Sequence, residues 1–321
     1  RGDDGSDLGA ATGSPVGVAI DVGTTTVVLE LVDLETGAIL AVAALENPQR
    51  FGGSDVMTRI SYDDEVPGEL RQALRRALNH ELKRLCADLD VDRRRLVDAY
   101  VVGNSTMRDM FFGLDVKPIG HIPYRSVTEI AVREGTAAGT TVVRRAHEIG
   151  LLMNPQARVT GGPLIASHVG ADAAADLVAV DAVGRGGSFL LVDIGTNSEI
   201  VVRGLAASSP AGPAFEGGGV RYGMPGADGA IEKVRIVDGR FHISTIGDVP
   251  PEGICGSGLV DLLAELRRAG WMTNRGTFAD RAREIRVEPE RPITFSRADV
   301  GHLSIAKAAT DGQGALALTD S

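Results

Sequence analysis

The hydrophobic pattern of this chain is written twice. Val16-Gly17-Val18-Ala19-Ile20 runs apolar into Asp21, breaks at Val22-Gly23-Thr24-Thr25-Thr26, and resumes as Val27-Val28-Leu29-Glu30-Leu31-Val32. Ser188-Phe189-Leu190-Leu191-Val192 runs in the same way into Asp193, breaks at Ile194-Gly195-Thr196-Asn197, and resumes as Ser198-Glu199-Ile200-Val201-Val202. Short apolar runs rich in β-branched residues, separated by a glycine and hydroxyl turn, predict a strand pair in each place. The copies stand a domain's length apart, so the pattern implies a duplicated lobe and not a short repeat.

The pattern extends around each pair. Asp33-Leu34-Glu35-Thr36-Gly37 reads as a turn and residues 38–45 as a third strand, giving an antiparallel meander. Residues 67–88 place Leu70, Ala73, Leu74, Ala77, Leu78, Leu82 and Leu85 on one helical face. A buried strand is expected over 97–102, and Gly103-Asn104-Ser105-Thr106 leads into a helix with Met107, Met110 and Phe111. Residues 117–156, rich in proline, glycine and threonine, read as loops and short strands inserted in the fold. Residues 171–180 predict a small-residue helix with Asp172 as N-cap, and Gly184-Arg185-Gly186-Gly187 reads as a hinge. Further on, residues 230–238 and 241–246 pair through Asp238-Gly239. Ile254-Cys255-Gly256-Ser257-Gly258 opens a helix over 259–269 that stops at Gly270, and another starts at Asp299.

A chain of 321 residues is long enough for two lobes, each with its own core. Hydrophobic residues at 43% and charged residues at 24% describe a globular protein and exclude a disordered one. A net charge of −10 with no basic stripe excludes a broad nucleic-acid surface. Cys86 and Cys255 are the only cysteines and have no metal-ligand spacing, so two buried thiols are expected. The six histidines show no ligand spacing either. No apolar run approaches the roughly 18 residues of a membrane span, and residues 1–14 are too polar for a signal peptide. No membrane and a cytoplasmic location are therefore the expectation. Both chain ends lack a recognisable terminal element, so a fragment of a longer protein is expected.

The turns carry the candidate chemistry. Backbone N–H groups of a tight glycine turn point outward and, with small hydroxyls, form a pocket for phosphate oxygens. An aspartate at the strand end suits Mg²⁺ held through water, since that ion takes one or two carboxylates plus phosphates. Neither turn is a P-loop or a Rossmann turn, because a strand follows where those motifs need a helix.

These residues resemble a family. Asp21-Val22-Gly23-Thr24-Thr25 and Asp193-Ile194-Gly195-Thr196-Asn197 are similar to the two phosphate loops of the acetate and sugar kinase, heat-shock-70 and actin (ASKHA) superfamily. Glu46-Asn47-Pro48-Gln49, Phe51-Gly52-Gly53-Ser54-Asp55-Val56, Gly103-Asn104-Ser105-Thr106-Met107, Ala211-Gly212-Pro213-Ala214-Phe215-Glu216-Gly217-Gly218 and Gly229-Ala230-Ile231-Glu232 narrow the resemblance. They look like the carboxy-terminal domain of the reductive activators of corrinoid-dependent proteins. The resemblance implies an α/β fold of two ribonuclease-H-like (actin-like ATPase) lobes with a nucleotide cleft. Residues 1–15 would be a linker remnant. Residues 16–183 would be lobe I, with an insertion near 115–160, and residues 184–321 lobe II, incomplete at its C-terminus.

It also implies an ATPase that couples ATP hydrolysis to reduction of a Co(II) corrinoid to Co(I). The partner would be a corrinoid protein or corrinoid-dependent methyltransferase, and the resemblance admits a homodimer. A [2Fe–2S] cluster would belong to an amino-terminal module outside this chain, which has no cysteine cluster. Asp21, Asp193 and Glu199 are the catalytic candidates, with Asp21 and Asp193 also holding Mg²⁺. Gly23, Thr24, Thr25, Thr26, Gly195, Thr196, Asn197, Gly256, Ser257 and Gly258 are the ATP-binding candidates. A small-molecule (acyl or sugar) kinase and a chaperone-like ATPase acting on partner proteins are the alternative readings.

Several candidates have an ordinary explanation of equal weight. Glu199 either orients water or faces solvent. Asn104, Ser105 and Thr106 form either an N-cap cluster or a ligand-facing loop. Gly256-Ser257-Gly258 either binds nucleotide or lets a helix pack tightly on a sheet. Phe215-Glu216-Gly217-Gly218-Gly219 with Arg221 reads as a mobile loop with a cleft or partner role.

Overall fold

The structure, a computed structural model, describes residues 13–180, 189–202, 205–288 and 290–319. The chain divides into two compact units, Arg1–Gly187 and Ser188–Ser321. The proposed hinge at Gly184 to Gly187 lies outside the described residues.

Unit 1 is built on six strands: β1 Val16–Val22, β2 Thr26–Asp33, β3 Ile39–Glu46, β4 Leu96–Val102, β5 Val142–Arg145 and β6 Arg158–Gly161. Their order is β3-β2-β1-β4-β6-β5. β1, β2 and β3 form the antiparallel meander, while β4 runs parallel to β1 and to β6. A parallel return needs a long crossover. Helices α1 (Val56–Glu65) and α2 (Glu69–Asp88) supply it. α2 buries Leu70, Leu74, Leu78, Leu82 and Leu85 in the core with Val18 and Ile20 of β1 and Val101 of β4. Along β1 the strand period of two buries Val18, Ile20 and Val22 and leaves Ala19 and Asp21 on the opposite, open face.

Residues 117–156 hold more structure than their composition predicts. Helix α4 (Val127–Arg133) starts on a Ser126 and Glu129 capping box. β5 pairs antiparallel with β6 and so extends the main sheet. The segment is anchored by Arg108 of α3 (Ser105–Phe112), which is wholly buried. Its Nη1 donates to the carbonyls of Thr140 (2.8 Å) and Gly162 (2.9 Å), and it pairs with Asp109. Short α5 (Ala146–Ile149) and α6 (Ala171–Ala179) complete the unit. The N-cap of α6 is Gly170, and Asp172 sits inside the first turn, accepting from the N–H of Ala173 (2.8 Å).

Unit 2 opens with a second meander, β7 (Leu190–Ile194), β8 (Ser198–Val202) and β9 (Leu205–Ser209). A second small sheet has the order β11-β10-β12, from β10 (Ala230–Val237), β11 (Arg240–Thr245) and β12 (Gly253–Ile254). β10 and β11 are joined by Asp238 and Gly239, both at positive φ (49° and 72°), the geometry of a two-residue hairpin turn. Helix α7 (Gly256–Arg268) presses Leu259, Leu262 and Leu266 into the unit's core. β13 (Glu284–Arg286) pairs with β14 (Thr294–Ser296), which leads into α8 (Arg297–Thr319). Asp299 ties this corner together, accepting from the N–H of Ser296 (2.7 Å) and of Arg221 (2.9 Å). Leu190, Val192 and Ile194 of β7 share one face and are exposed, and among the described residues β7 is an edge of its sheet.

Candidate functional site

In unit 1 the turn after Asp21 is held from below by three buried side chains. Gly23 is required there, because a Cβ would lie 2.4 Å from the carbonyl oxygen of Thr26. Asn47, just after β3, donates from Nδ2 to the Gly23 carbonyl (2.7 Å), and its backbone N–H donates to the Thr25 carbonyl (2.7 Å). Arg59 of α1 is buried and donates from Nη2 to the Thr24 carbonyl (2.6 Å). Asn104 caps α3 by accepting from the N–H of Met107 (3.0 Å), and its Nδ2 donates to Thr24 Oγ1 (3.0 Å). Asn104 is thus both a helix cap and a strut under the turn. The Thr24 side chain is buried and turned inward, whereas Thr25 and Thr26 are half-buried.

Asp21 is exposed at the end of β1. Protein nonetheless crowds around it and strips much of its hydration, and the Asp176 carboxylate on α6 adds repulsion. Together they raise its pKa from 3.8 to about 6.

In unit 2 the second turn repeats the plan with different partners. Thr196 is buried, and its hydroxyl donates to Glu216 at the end of the 3-10 turn Pro213–Glu216. Its carbonyl accepts from the N–H of Gly212 (2.8 Å). Asp193 and Glu199 are directly opposite across β7 and β8. Glu199 does not face solvent: it is buried and accepts from Ser208 Oγ (2.8 Å).

The glycines at the start of α7 have a packing explanation. A Cβ on Gly256 would lie 2.0 Å from the Phe215 carbonyl oxygen, and one on Gly258 would lie 2.0 Å from that of Ile231. Between them the Ser257 hydroxyl contacts Cys255 Sγ (3.3 Å). The loop after Glu216 is close-packed too, since a Cβ on Gly223 would meet the Gly217 carbonyl oxygen at 2.1 Å. Its glycines therefore serve backbone packing, and the mobility expected from composition is not needed to explain them.

Sequence reasoning missed Arg59 and the strut role of Asn47. Arg59 lies in a helix that was not expected. The readable signal is Asp55-x-x-Thr58, where Asp55 accepts from the N–H of Thr58 (2.9 Å). Beside the second turn, a cavity of about 520 Å³ is lined by Ile194, Phe215, Leu263, Leu303, Arg267 and Lys307, among others.

A meander followed by helices, with a glycine and hydroxyl turn after a strand-end aspartate in each unit, is the mixed α/β architecture of the ASKHA class. Residues 16–183 match the RACo middle region, and residues 188–319 match the C-terminal domain of RACo, the ASKHA domain. The chain belongs to the RACo family. It is 35% identical over 269 residues to the "Corrinoid activation enzyme RamQ" of Eubacterium limosum, covering 82% of this chain and 43% of that protein. It is 27% identical over 224 residues to the "[Co(II) methylated amine-specific corrinoid protein] reductase" of Methanosarcina barkeri, covering 68% of this chain and 40% of that one. Among solved structures, a "Reductive activator for corrinoid,iron-sulfur protein" superposes with a TM-score of 0.83 at 34% identity, over 97% of this chain and 52% of that one. The chain thus spans about half the length of these relatives or less.

Proposed function

We propose that this chain is the nucleotide-binding portion of an ATP-dependent reductive activator, which drives a Co(II) corrinoid on a partner protein to Co(I). The observation that carries this reading is the repeated turn, braced from inside in both units and preceded in both by an aspartate. The family and the names of the relatives support the coupling to a corrinoid partner.

In this reading Gly23, Thr25, Thr26, Gly195 and Asn197 meet nucleotide phosphates at the two turns. The hydroxyls of Thr24 and Thr196 act mainly by shaping the turns, since they are engaged inside, which leaves the Thr24 backbone N–H for the phosphates. The 520 Å³ cavity is of a size to take a nucleoside, and its lining combines apolar side chains with the cations Arg267 and Lys307.

The residues fit magnesium. Among the described residues no group of three or more His, Cys, Asp or Glu stands ready to hold a metal. Magnesium needs fewer, as it takes one or two carboxylates and completes its shell with water and phosphate. Asp21 beside Asp176, and Asp193 beside Glu199, are such pairs. When bound, the ion would neutralise charge that develops on the phosphates. The chain does not fit an iron–sulfur cluster, which needs four thiolates. Its two cysteines are both buried and lie in different units, so no electron-transfer step is assigned to these residues.

Calorimetry with Mg·ATP tests the reading. Asp21→Ala and Asp193→Ala should each weaken binding by about tenfold or more, a loss of about 1.4 kcal/mol. Unchanged affinity in both would remove the proposed site.

A further inference from the structure

The polypeptide of the first turn is oriented, and the source of that orientation is buried. Three consecutive carbonyls, those of Gly23, Thr24 and Thr25, accept from donors on the protein side: Asn47 Nδ2 (2.7 Å), Arg59 Nη2 (2.6 Å) and the Asn47 N–H (2.7 Å). The peptides here are trans, the one cis bond among the described residues being Ile122–Pro123. In a trans peptide the N–H points opposite to the C=O of the preceding residue. Fixing the carbonyls of Gly23 and Thr24 inward therefore aims the N–H groups of Thr24 and Thr25 outward, away from the core.

Arg59 is itself held. Its Nε donates to the Gly53 carbonyl (3.0 Å) and its Nη1 lies 3.2 Å from Met107 Sδ, so the guanidinium plane is set by a loop and by α3 as well as by the turn. A guanidinium keeps its proton under ordinary conditions, so a cationic group lies one peptide beneath the outward N–H groups. Charge in a poorly hydrated interior acts over longer distances than at a surface. Asn47 is equally fixed, since its Oδ1 accepts from the N–H of Gln49 (2.9 Å).

We propose that Arg59, assisted by Asn47, is the positioning residue that makes the first turn an anion receptor, by turning its carbonyls inward and placing a permanent cation behind its N–H groups. This rests on the nucleotide reading given above and adds to it the origin of the turn's polarity. Arg59 touches no phosphate in this arrangement; it acts through the Thr24 peptide. A merely structural arginine would affect every ligand of the protein alike. A positioning arginine affects the phosphates and spares the nucleoside.

The test measures affinities for Mg·ATP and for adenosine on the 321-residue chain by calorimetry, with circular dichroism to follow folding, in wild type, Arg59→Gln and Asn47→Asp. Each substitution is expected to weaken Mg·ATP by about tenfold or more while adenosine stays within about twofold. An ATP-to-adenosine ratio unchanged within about twofold in both variants overturns the proposal and leaves the nucleotide reading standing. If one variant is unfolded, the other decides by the same ratio. If both are unfolded, the residues are architectural and the proposal fails. A wild-type chain that gains no affinity from the phosphates overturns the nucleotide reading and this inference together.

Discussion

At the scale of single residues, the surroundings of Asp21 govern its charge, through lost hydration first and the Asp176 carboxylate second. Asp21 stands where its strand-end position placed it, yet the Asp176 carboxylate beside it could not be read from a distance of so many residues. Its raised pKa has a consequence for the metal-free protein. An unfolded aspartate titrates near 3.9. The stability contributed by protonated Asp21 is therefore present at low pH and lost as pH rises through about 6. Asp21→Asn stays neutral throughout, so with EDTA present it should melt a few degrees above wild type at about pH 7.5 and level with it at about pH 4. The partial exposure of Asp21 reduces the effect without reversing it. Equal melting-temperature differences at the two pH values would contradict this account. Thr24 and Thr196 teach the complementary lesson: residues chosen as phosphate ligands for their hydroxyls use those hydroxyls internally, to Asn104 and Glu216.

At the scale of elements, steric demands sort the glycines that composition alone lumps together. Gly258→Ala keeps a helical backbone but drives a methyl to 2.0 Å from the Ile231 carbonyl oxygen, so α7 must lift from β10. A loss of about 3 kcal/mol is expected in urea unfolding. Gly270→Ala meets open space and suffers only from its φ of 75°, which should cost about 1 kcal/mol. Equal losses at the two positions would show that the close approach is not what α7 depends on. The longer strands β1 to β4, β10 and β11 and helix α2 were legible because each repeats its apolar positions with a clear period, as Leu70, Leu74, Leu78 and Leu82 do, whereas short strands such as β9, β13 and β14 are too brief to show one. α1 and α4 were not. α1 buries only Val56, Arg59 and Ile60, and α4 buries none of its seven residues, so neither leaves a readable stripe. Their starts are marked instead by Asp55-x-x-Thr58 and Ser126-x-x-Glu129, signals too short to stand out in a segment rich in glycine and proline. The strut under the first turn was invisible for the same reason, since Arg59 belongs to α1.

At the scale of the whole molecule, each unit closes its own hydrophobic core. One core runs from Val16 to Val159, and the other from Ala211 to Ala306. A fragment of residues 13–187 should accordingly fold alone and melt in one cooperative transition followed by circular dichroism. A broad, non-cooperative melt would show that its core needs the rest of the chain. The two halves of the sequence pattern were legible as a duplication, because the turns repeat both residue types and position after a strand. The cavity between α7 and α8 was not, because its lining comes from residues scattered between Ile194 and Lys307. Leu190, Val192 and Ile194 present an oily ribbon along a strand that, among the described residues, has backbone groups open to a neighbouring copy on its outer margin. Concentrated solutions should grow turbid on storage, and a single lysine at Val192 should keep them clear by making every such encounter repulsive.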